Sequence, residues 1–148
     1  MLVPSKKALE PILDGKGGLR FDHSADELDT LAEDFFSYGH SEMKEIINLP
    51  GDKRTFENTM IPFAQLDADT MAFTTVLGFY SSVASDKKLR KASEDVSKKF
   101  TDFWNEIYSS KELFEAVNAV KLIMHEAGTW EELAFEDRRL VNKMLIEY

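Results

Sequence analysis

The 148-residue sequence contains no cysteine and no long apolar run. The lack of cysteine excludes a disulfide scaffold and any metal site built from thiolates, and it fits a reducing compartment. No apolar run approaches the roughly 18 residues of a membrane-spanning helix. The start, MLVPSKKALEP, lacks the apolar core of a signal peptide. We therefore expect a cytoplasmic protein with no membrane partner.

Positive charge is also scarce, since 18 Lys and Arg residues face 27 Asp and Glu residues and the net charge is -9. This balance argues against nucleic acid or anionic lipid as the main partner. A small basic cluster, Lys87, Lys88, Arg90 and Lys91, fits the patterning of a helix surface better than a nucleic-acid site. We expect no nucleic-acid partner.

The most regular pattern lies in residues 85–124, where apolar side chains recur at steps of three and four. Such steps place them on one side of a helix. Ser85 is the predicted N-cap, because its hydroxyl can accept a backbone N–H of the first turn. A helix of about 40 residues would exceed the usual length, so we expect a break or bend at Ser109–Ser110. The stripe consists of Leu89, Ala92, Val96, Phe100, Phe103, Ile107, Leu113, Val117, Val120 and Met124.

Further helices flank this segment. Ser24 and Glu27 have the spacing of a capping box, which predicts a helix start that continues less regularly past Gly39. A second helix is expected after residues 55–59, with Pro62 in or near its first turn. Met60, Met71 and Phe79 broaden the apolar surface of this second helix, which predicts that it is contacted on more than one side.

The end of the chain follows the same helical pattern. Gly128 occupies the position expected of a C-terminal glycine, and a last helix is expected around residues 136–148. No segment alternates with period two, and no internal repeat is present. The sequence thus predicts an all-α bundle of about four to six helices. We expect residues 1–23, which are broken by proline and glycine, to be a flexible lead, and residues 24–148 to form a single helical domain.

A search for catalytic motifs finds none. His125–Glu126 begins like the zinc motif H-E-x-x-H, but the second histidine would have to occupy position 129, which is Thr129. His23 and His40 lie far from His125 with no ligand spacing, and no glycine-rich phosphate loop is present. We expect no metal, no cofactor and no catalytic residue.

Several short phrases, taken in order, resemble the N-terminal helical region of the thimet oligopeptidase and neurolysin family of zinc oligopeptidases. They cover residues 19–148. The resemblance implies an all-α fold. The phrases are Leu19-Arg20-Phe21-Asp22, Thr55-Phe56-Glu57-Asn58-Thr59, the stretch from Val83 to Ser93, Glu112-Leu113-Phe114 and Asp137-Arg138-Arg139-Leu140.

The resemblance also implies what these residues do not supply. In that family the H-E-x-x-H motif lies in a C-terminal catalytic domain, and no such motif occurs in this sequence. We therefore expect a non-catalytic module that binds a protein or peptide partner or associates with itself, or else a fragment of a longer peptidase. The last helix offers a candidate partner surface, unless its residues simply close the core: Leu140, Met144, Leu145 and Tyr148.

The alternative is an enzyme or small-ligand-binding protein that uses the bundle for unrelated chemistry. Its pocket would lie between helices, as ligand sites in bundles do. Aromatic side chains at helical spacing are the candidates for its lining: Phe73, Tyr80, Trp104 and Tyr108.

Overall fold

The computed structural model describes residues 6–147 and confirms the all-α helical bundle. Short 3-10 turns cover Glu10–Ile12, Gly51–Lys53 and Trp130–Glu132, and a π-helical turn covers Phe56–Met60. In this part of the chain no helix is long and apolar enough to cross a membrane. The α-helices are α1 (Lys6–Leu9), α2 (Ala25–Asn48), α3 (Ile61–Val83), α4 (Lys87–Tyr108), α5 (Lys111–Glu126) and α6 (Phe135–Glu147).

The chain divides into two compact units. Unit 1 is described over residues 6–40 and 64–104, and unit 2 over residues 41–63 and 105–147. Helices α2, α3 and α4 contribute residues to both units. The sequence predicts a single helical domain over residues 24–148, and the division into two compact units does not test that prediction.

An aromatic cluster forms the core of unit 1. The ring of Phe35, which is 3% exposed, lies 4.5 Å from Phe73 and 5.5 Å from Phe100 between centroids. Phe36 and Phe103 stack with their centroids 5.2 Å apart. These contacts join α2 to α3 and α4, so the residues at helical spacing in the sequence are those that fill the core.

Helices α3 and α4 of unit 1 are also joined by a buried hydroxyl. Ser93, which is fully buried on α4, donates to the carbonyl of Leu77 at 2.6 Å. The same hydroxyl accepts the backbone N–H of Ser81 at 3.0 Å. An uninterrupted α-helix pairs these two backbone groups with each other. Ser93 therefore satisfies the backbone of the helix it packs against.

In unit 2 the apolar sides of α5 and α6 are buried. Val117 and Val120 on α5 and Val141 on α6 have no exposed area, and Met144 is 3% exposed. Arg54, which is also buried, donates to the carbonyls of Ile46 at 2.6 Å and Ile47 at 2.9 Å. Its guanidinium thus satisfies acceptors that the C-terminal end of α2 leaves without intrahelical donors.

Two predicted helix boundaries are confirmed. The long apolar segment breaks at Ser109–Ser110, and Ser110 caps α5 by accepting the N–H of Leu113 at 3.3 Å. Gly128 follows α5 with φ of +73°, a backbone conformation that glycine adopts without strain. Its N–H donates to the carbonyl of His125 at 3.1 Å, while Thr129 donates to Met124 at 2.9 Å. This pair of bonds is a Schellman motif.

The predicted N-cap at Ser85 is wrong by one residue. Helix α4 begins at Lys87, and the carboxylate of Asp86 accepts the N–H of Lys88 at 2.9 Å. Asp is as good an N-cap as Ser, and its negative charge also favours the positive end of the helix dipole. The Ser85 carbonyl instead accepts from the guanidinium of Arg90 at 3.0 Å.

The capping box at Ser24 and Glu27 is confirmed. Ser24 N–H donates to the Glu27 carboxylate at 2.7 Å, and Glu27 N–H donates to the Ser24 hydroxyl at 3.2 Å. A second box, between Thr55 and Asn58, opens the π-helical turn before α3. Pro62 is the second residue of α3, in the first turn, where proline was expected.

The segment before α2, residues 6–23, is called the strap below. It was expected to belong to a flexible lead over residues 1–23, of which residues 1–5 lie outside the described part. Within the strap Ile12 is fully buried, and its carbonyl accepts the N–H of Arg20 at 2.8 Å. Leu13 and Leu19 form an isolated antiparallel bridge. The strap therefore contributes a buried side chain to unit 1.

Candidate functional site: an uncharged face of helix α3

The surface proposed on the last helix is partly buried. Met144 is 3% exposed and lies in the core of unit 2, while Leu140 and Leu145 are half-buried. Tyr148 lies outside the described residues. The apolar side chains that α6 does expose are Phe135 at 67% and Ile146 at 83%. Sequence reasoning missed both, because they lie off the buried stripe.

The four proposed pocket residues are not brought to one described cavity. Phe73 and Tyr80 are buried in unit 1, where Phe73 contacts Phe35, and Trp104 is half-buried with its ring 5.8 Å from Phe103. Tyr108 belongs to unit 2. It lines an open cavity of about 290 Å³ whose other walls are Ser109, Ser110, Lys111 and Phe114.

A different feature, on α3 of unit 1, is more distinctive. From Thr70 to Val83 this helix carries no charged side chain, although 30% of the whole chain is charged. Met71 is 66% exposed, Phe79 46% and Val83 55%. Sequence reasoning expected Met71 and Phe79 to widen a covered surface. Helix α3 does pack against both α2 and α4, but these two side chains remain open.

The spacing of these residues makes them one surface. Met71, Thr75, Phe79 and Val83 follow one another at steps of four and therefore lie along one side of the helix. The twelve residue steps from Met71 to Val83 span about 18 Å. The strap adds Phe21, which is 45% exposed and whose ring lies 5.0 Å from that of Phe79. We call these five residues the α3 face.

Exposed carboxylates lie close to this face in sequence. The side chains of Asp22 and Asp26 are 76% and 89% exposed. Arg20 is held by ion pairs with Asp22 and, at 2.9 Å, with Glu27. The backbone N–H of Ser24 and the Arg20 guanidinium lower the pKa of Glu27 to about 2. The Glu27 carboxyl group is thus arranged to stay ionised.

A buried histidine lies two residues from Phe21. His23 is 3% exposed, its Nδ1 lies 2.7 Å from the hydroxyl of Tyr80, and its backbone N–H donates to that hydroxyl at 3.0 Å. Burial, with a smaller contribution from the Arg20 charge, lowers the pKa of His23. Burial also raises the pKa of Tyr80. Sequence gave no sign of this pair, since its members are 57 positions apart.

In the described part of the chain, His125, which begins the incomplete H-E-x-x-H motif, is not paired with a tyrosine hydroxyl as His23 is. Its ring stacks on Trp130 with centroids 4.8 Å apart, and Lys121 Nζ lies 5.6 Å from the centroid of the Trp130 ring. Within residues 6–147 no group of three or more His, Asp or Glu side chains could hold a metal ion.

Comparison with known proteins agrees with the resemblance seen in the sequence. The family model of the neurolysin and thimet oligopeptidase N-terminal domain matches residues 38–148. The oligopeptidase PhomG′ of Diaporthe leptostromiformis is 33% identical over 101 residues, which are 68% of this chain and 8% of that protein. A thimet-like oligopeptidase of Dictyostelium discoideum is 27% identical over 128 residues, or 86% of this chain and 19% of that protein. The chain thus spans less than a fifth of these relatives, and it belongs to the family of the neurolysin and thimet oligopeptidase N-terminal domain.

Proposed function

We propose that this chain is a non-catalytic helical module that binds a peptide through the α3 face, and that the preferred peptide is amphipathic and basic. The observation that carries the proposal is the uncharged, exposed stripe of Met71, Thr75, Phe79 and Val83. A helix that is apolar all round is normally covered on every side. An open apolar stripe of this kind marks an interaction site.

The net charge of the chain, -9, favours a basic ligand. The exposed carboxylates nearest to Phe21 in sequence are Asp22 on the strap, which pairs with Arg20, and Asp26 on α2, which pairs with Lys88. Such a field steers cationic ligands toward the protein. The named relatives are oligopeptidases, so a polypeptide ligand also agrees with family membership. The absence of an H-E-x-x-H motif from the sequence supports binding without hydrolysis.

The test uses two labelled helical peptides with leucine at i and i+4, one with lysine and one with glutamate at the remaining positions. Binding to the purified chain is followed by fluorescence anisotropy. We expect the lysine peptide to bind more tightly, and Phe79→Ser to weaken its binding by about threefold to tenfold, since fully burying an aromatic side chain contributes roughly 1.5–3 kcal/mol and Phe79 is 46% exposed in the free chain. Serine changes no charge, so a loss reports the apolar contacts of Phe79, including its contact with Phe21.

Phe135→Ser is the matched control, because Phe135 is equally apolar and 67% exposed but lies on α6 of unit 2. Unchanged binding by this variant is expected. If Phe135→Ser weakens binding and Phe79→Ser does not, the partner surface lies on the last helix, as the sequence suggested. The proposal is overturned if the lysine peptide does not bind, or if the glutamate peptide binds as tightly as the lysine peptide. Chelator-sensitive cleavage of a fluorogenic oligopeptide would overturn its non-catalytic part.

A cytoplasmic location belongs to the same proposal and is supported by the absence of cysteine from the sequence. Self-association through the α3 face would bury the same residues. Sedimentation of the wild type and of Phe79→Ser distinguishes this outcome, because only self-association makes the wild type heavier at high concentration. The second candidate function, a small-ligand site between helices, gains no comparable observation.

A further inference from the structure

We propose that His23 is a pH-sensitive latch that holds the strap on α3 when neutral and releases it when protonated. The latch is a property of unit 1 by itself. Its consequence for ligand binding rests on the proposed function, because release of the strap would remove Phe21 from the α3 face.

The geometry accommodates a neutral imidazole. The Tyr80 hydroxyl accepts the His23 backbone N–H at 3.0 Å and lies 2.7 Å from Nδ1. If the hydroxyl donates a hydrogen bond to Nδ1, the hydroxyl and Nδ1 are both paired, and the neutral ring carries its proton on Nε2. Among the described residues, Nε2 is buried and makes no hydrogen bond of ordinary geometry, although the Pro11 carbonyl lies near enough to the ring to favour its protonation.

Protonation would break this arrangement in two ways. Nδ1 would become a donor, so the Tyr80 hydroxyl would have to turn its own proton away from the ring and lose its acceptor. Protonation would also place a positive charge on a buried ring, and the burial of a charge is costly. Moving the strap into water relieves both problems.

The charged groups around the ring do not remove this cost. Arg20 opposes protonation, while Glu27, Asp22 and the carbonyl of Pro11 favour it. Burial outweighs them, so the pKa of His23 lies below its ordinary value of 6.5. From α3, the titratable group that contacts the ring is Tyr80, which is neutral throughout this pH range.

The direction of the pH effect follows from linkage. Because the pKa of His23 is lower when the strap is docked than when it is free, the free strap binds more protons. Docking is therefore most stable above pH 6.5 and weakens as the pH falls below that value. Each unit of difference in pKa weakens docking up to tenfold.

The test measures hydrogen exchange of the Arg20 and His23 amides, whose acceptors are the Ile12 carbonyl and the Tyr80 hydroxyl. Protection is expressed relative to the intrinsic rate at each pH, with the Thr129 amide of unit 2 as an internal reference. We expect protection of the two strap amides to fall between pH 7 and pH 5, by up to tenfold for each unit by which docking lowers the pKa of His23. Protection at Thr129 should stay constant.

His23→Gln cannot be protonated, and we expect it to abolish the pH dependence at Arg20. The control His125→Gln removes a histidine of unit 2 that stacks on Trp130, and it should keep the wild-type response. If His23→Gln does not fold, an NMR titration of the wild type decides the question. The His23 ring and the strap amides must then share one midpoint below 6.5. A His23 midpoint at the ordinary value, or strap protection that does not change with pH, overturns the proposal.

Discussion

Replacing Gly39 by alanine tests how closely α2 and α4 approach in unit 1. A Cβ atom at this position would lie 2.5 Å from Cζ and 3.1 Å from Cε2 of Phe103. Favourable carbon contacts lie at about 3.5–4.0 Å. The Phe103 ring is 4% exposed and stacks on Phe36, so it has little room to retreat.

Two effects of opposite sign decide the outcome. Alanine stabilises the interior of a helix by about 0.5–1 kcal/mol relative to glycine. Overpacking a core costs about 1–3 kcal/mol. The cost of overpacking should exceed the gain in helix propensity, and we expect Gly39→Ala to lower the free energy of unfolding by about 1–2 kcal/mol. For a chain of this size the melting temperature would fall by about 2–8 °C.

Urea denaturation followed by circular dichroism measures this change. Gly78→Ala is the matched control, since its Cβ would meet only the hydroxyl of Ser97, at 3.2 Å. We expect this second variant to be neutral or slightly stabilised. Phe103→Leu should shrink the cost of Gly39→Ala in a double-mutant cycle. If Gly39→Ala is as stable as the wild type, the close approach of the two helices is refuted.

Two further predictions concern hydrogen bonds of unit 1. Ser93→Ala should destabilise the chain by about 1–3 kcal/mol, because the Leu77 carbonyl and the Ser81 N–H lose their partner. Ser97→Ala, in the same helix, is the control, and equal destabilisation by the two variants would contradict the bridging role of the Ser93 hydroxyl. Glu27 should titrate near the value of about 2 that its bonds from Ser24 and Arg20 impose. The ionised Glu27 carboxylate then contributes its full stability above pH 4.5, and this contribution is lost as the pH falls toward 2. Glu27→Gln should therefore reduce the dependence of the melting temperature on pH between 4.5 and 2. An NMR midpoint near 4.5 for Glu27 would show that the capping box does not hold its carboxylate.

The parts of the fold that sequence predicted are those encoded within a few residues. The capping box of Ser24 and Glu27, the break at Ser109–Ser110 and the glycine cap at Gly128 each depend on neighbours in the chain. The error at Ser85 arose because Asp86, an equally good cap, comes directly after it. Either residue could cap the helix by its local chemistry, and α4 begins directly after Asp86.

Contacts between distant positions were out of reach. His23 and Tyr80 are separated by 57 positions, and Ser93 and Leu77 by 16. Neither pair produces a periodic pattern or a motif, because the sequence does not show which distant residue a polar side chain in an apolar stripe will contact. The candidate site suffered in the same way. Sequence left open whether the side of α6 with Leu140, Met144 and Leu145 forms a partner surface or closes the core, and Met144, at 3% exposed, belongs to the core.

Helix α3 is contacted on more than one side, as its sequence predicts, yet part of its apolar surface stays exposed on the α3 face. Helix α3 has the composition of a helix covered on all sides, and this chain covers it only in part. A solvated helix side gains nothing from Met71, Phe79 and Val83, whereas charged residues there would favour solubility, as they do on α4. Family membership alone transfers no activity, because the chain spans at most 19% of the named relatives. The open stripe is a property of the chain itself, so the peptide-binding proposal depends on the residues of α3 and not on the relatives' names.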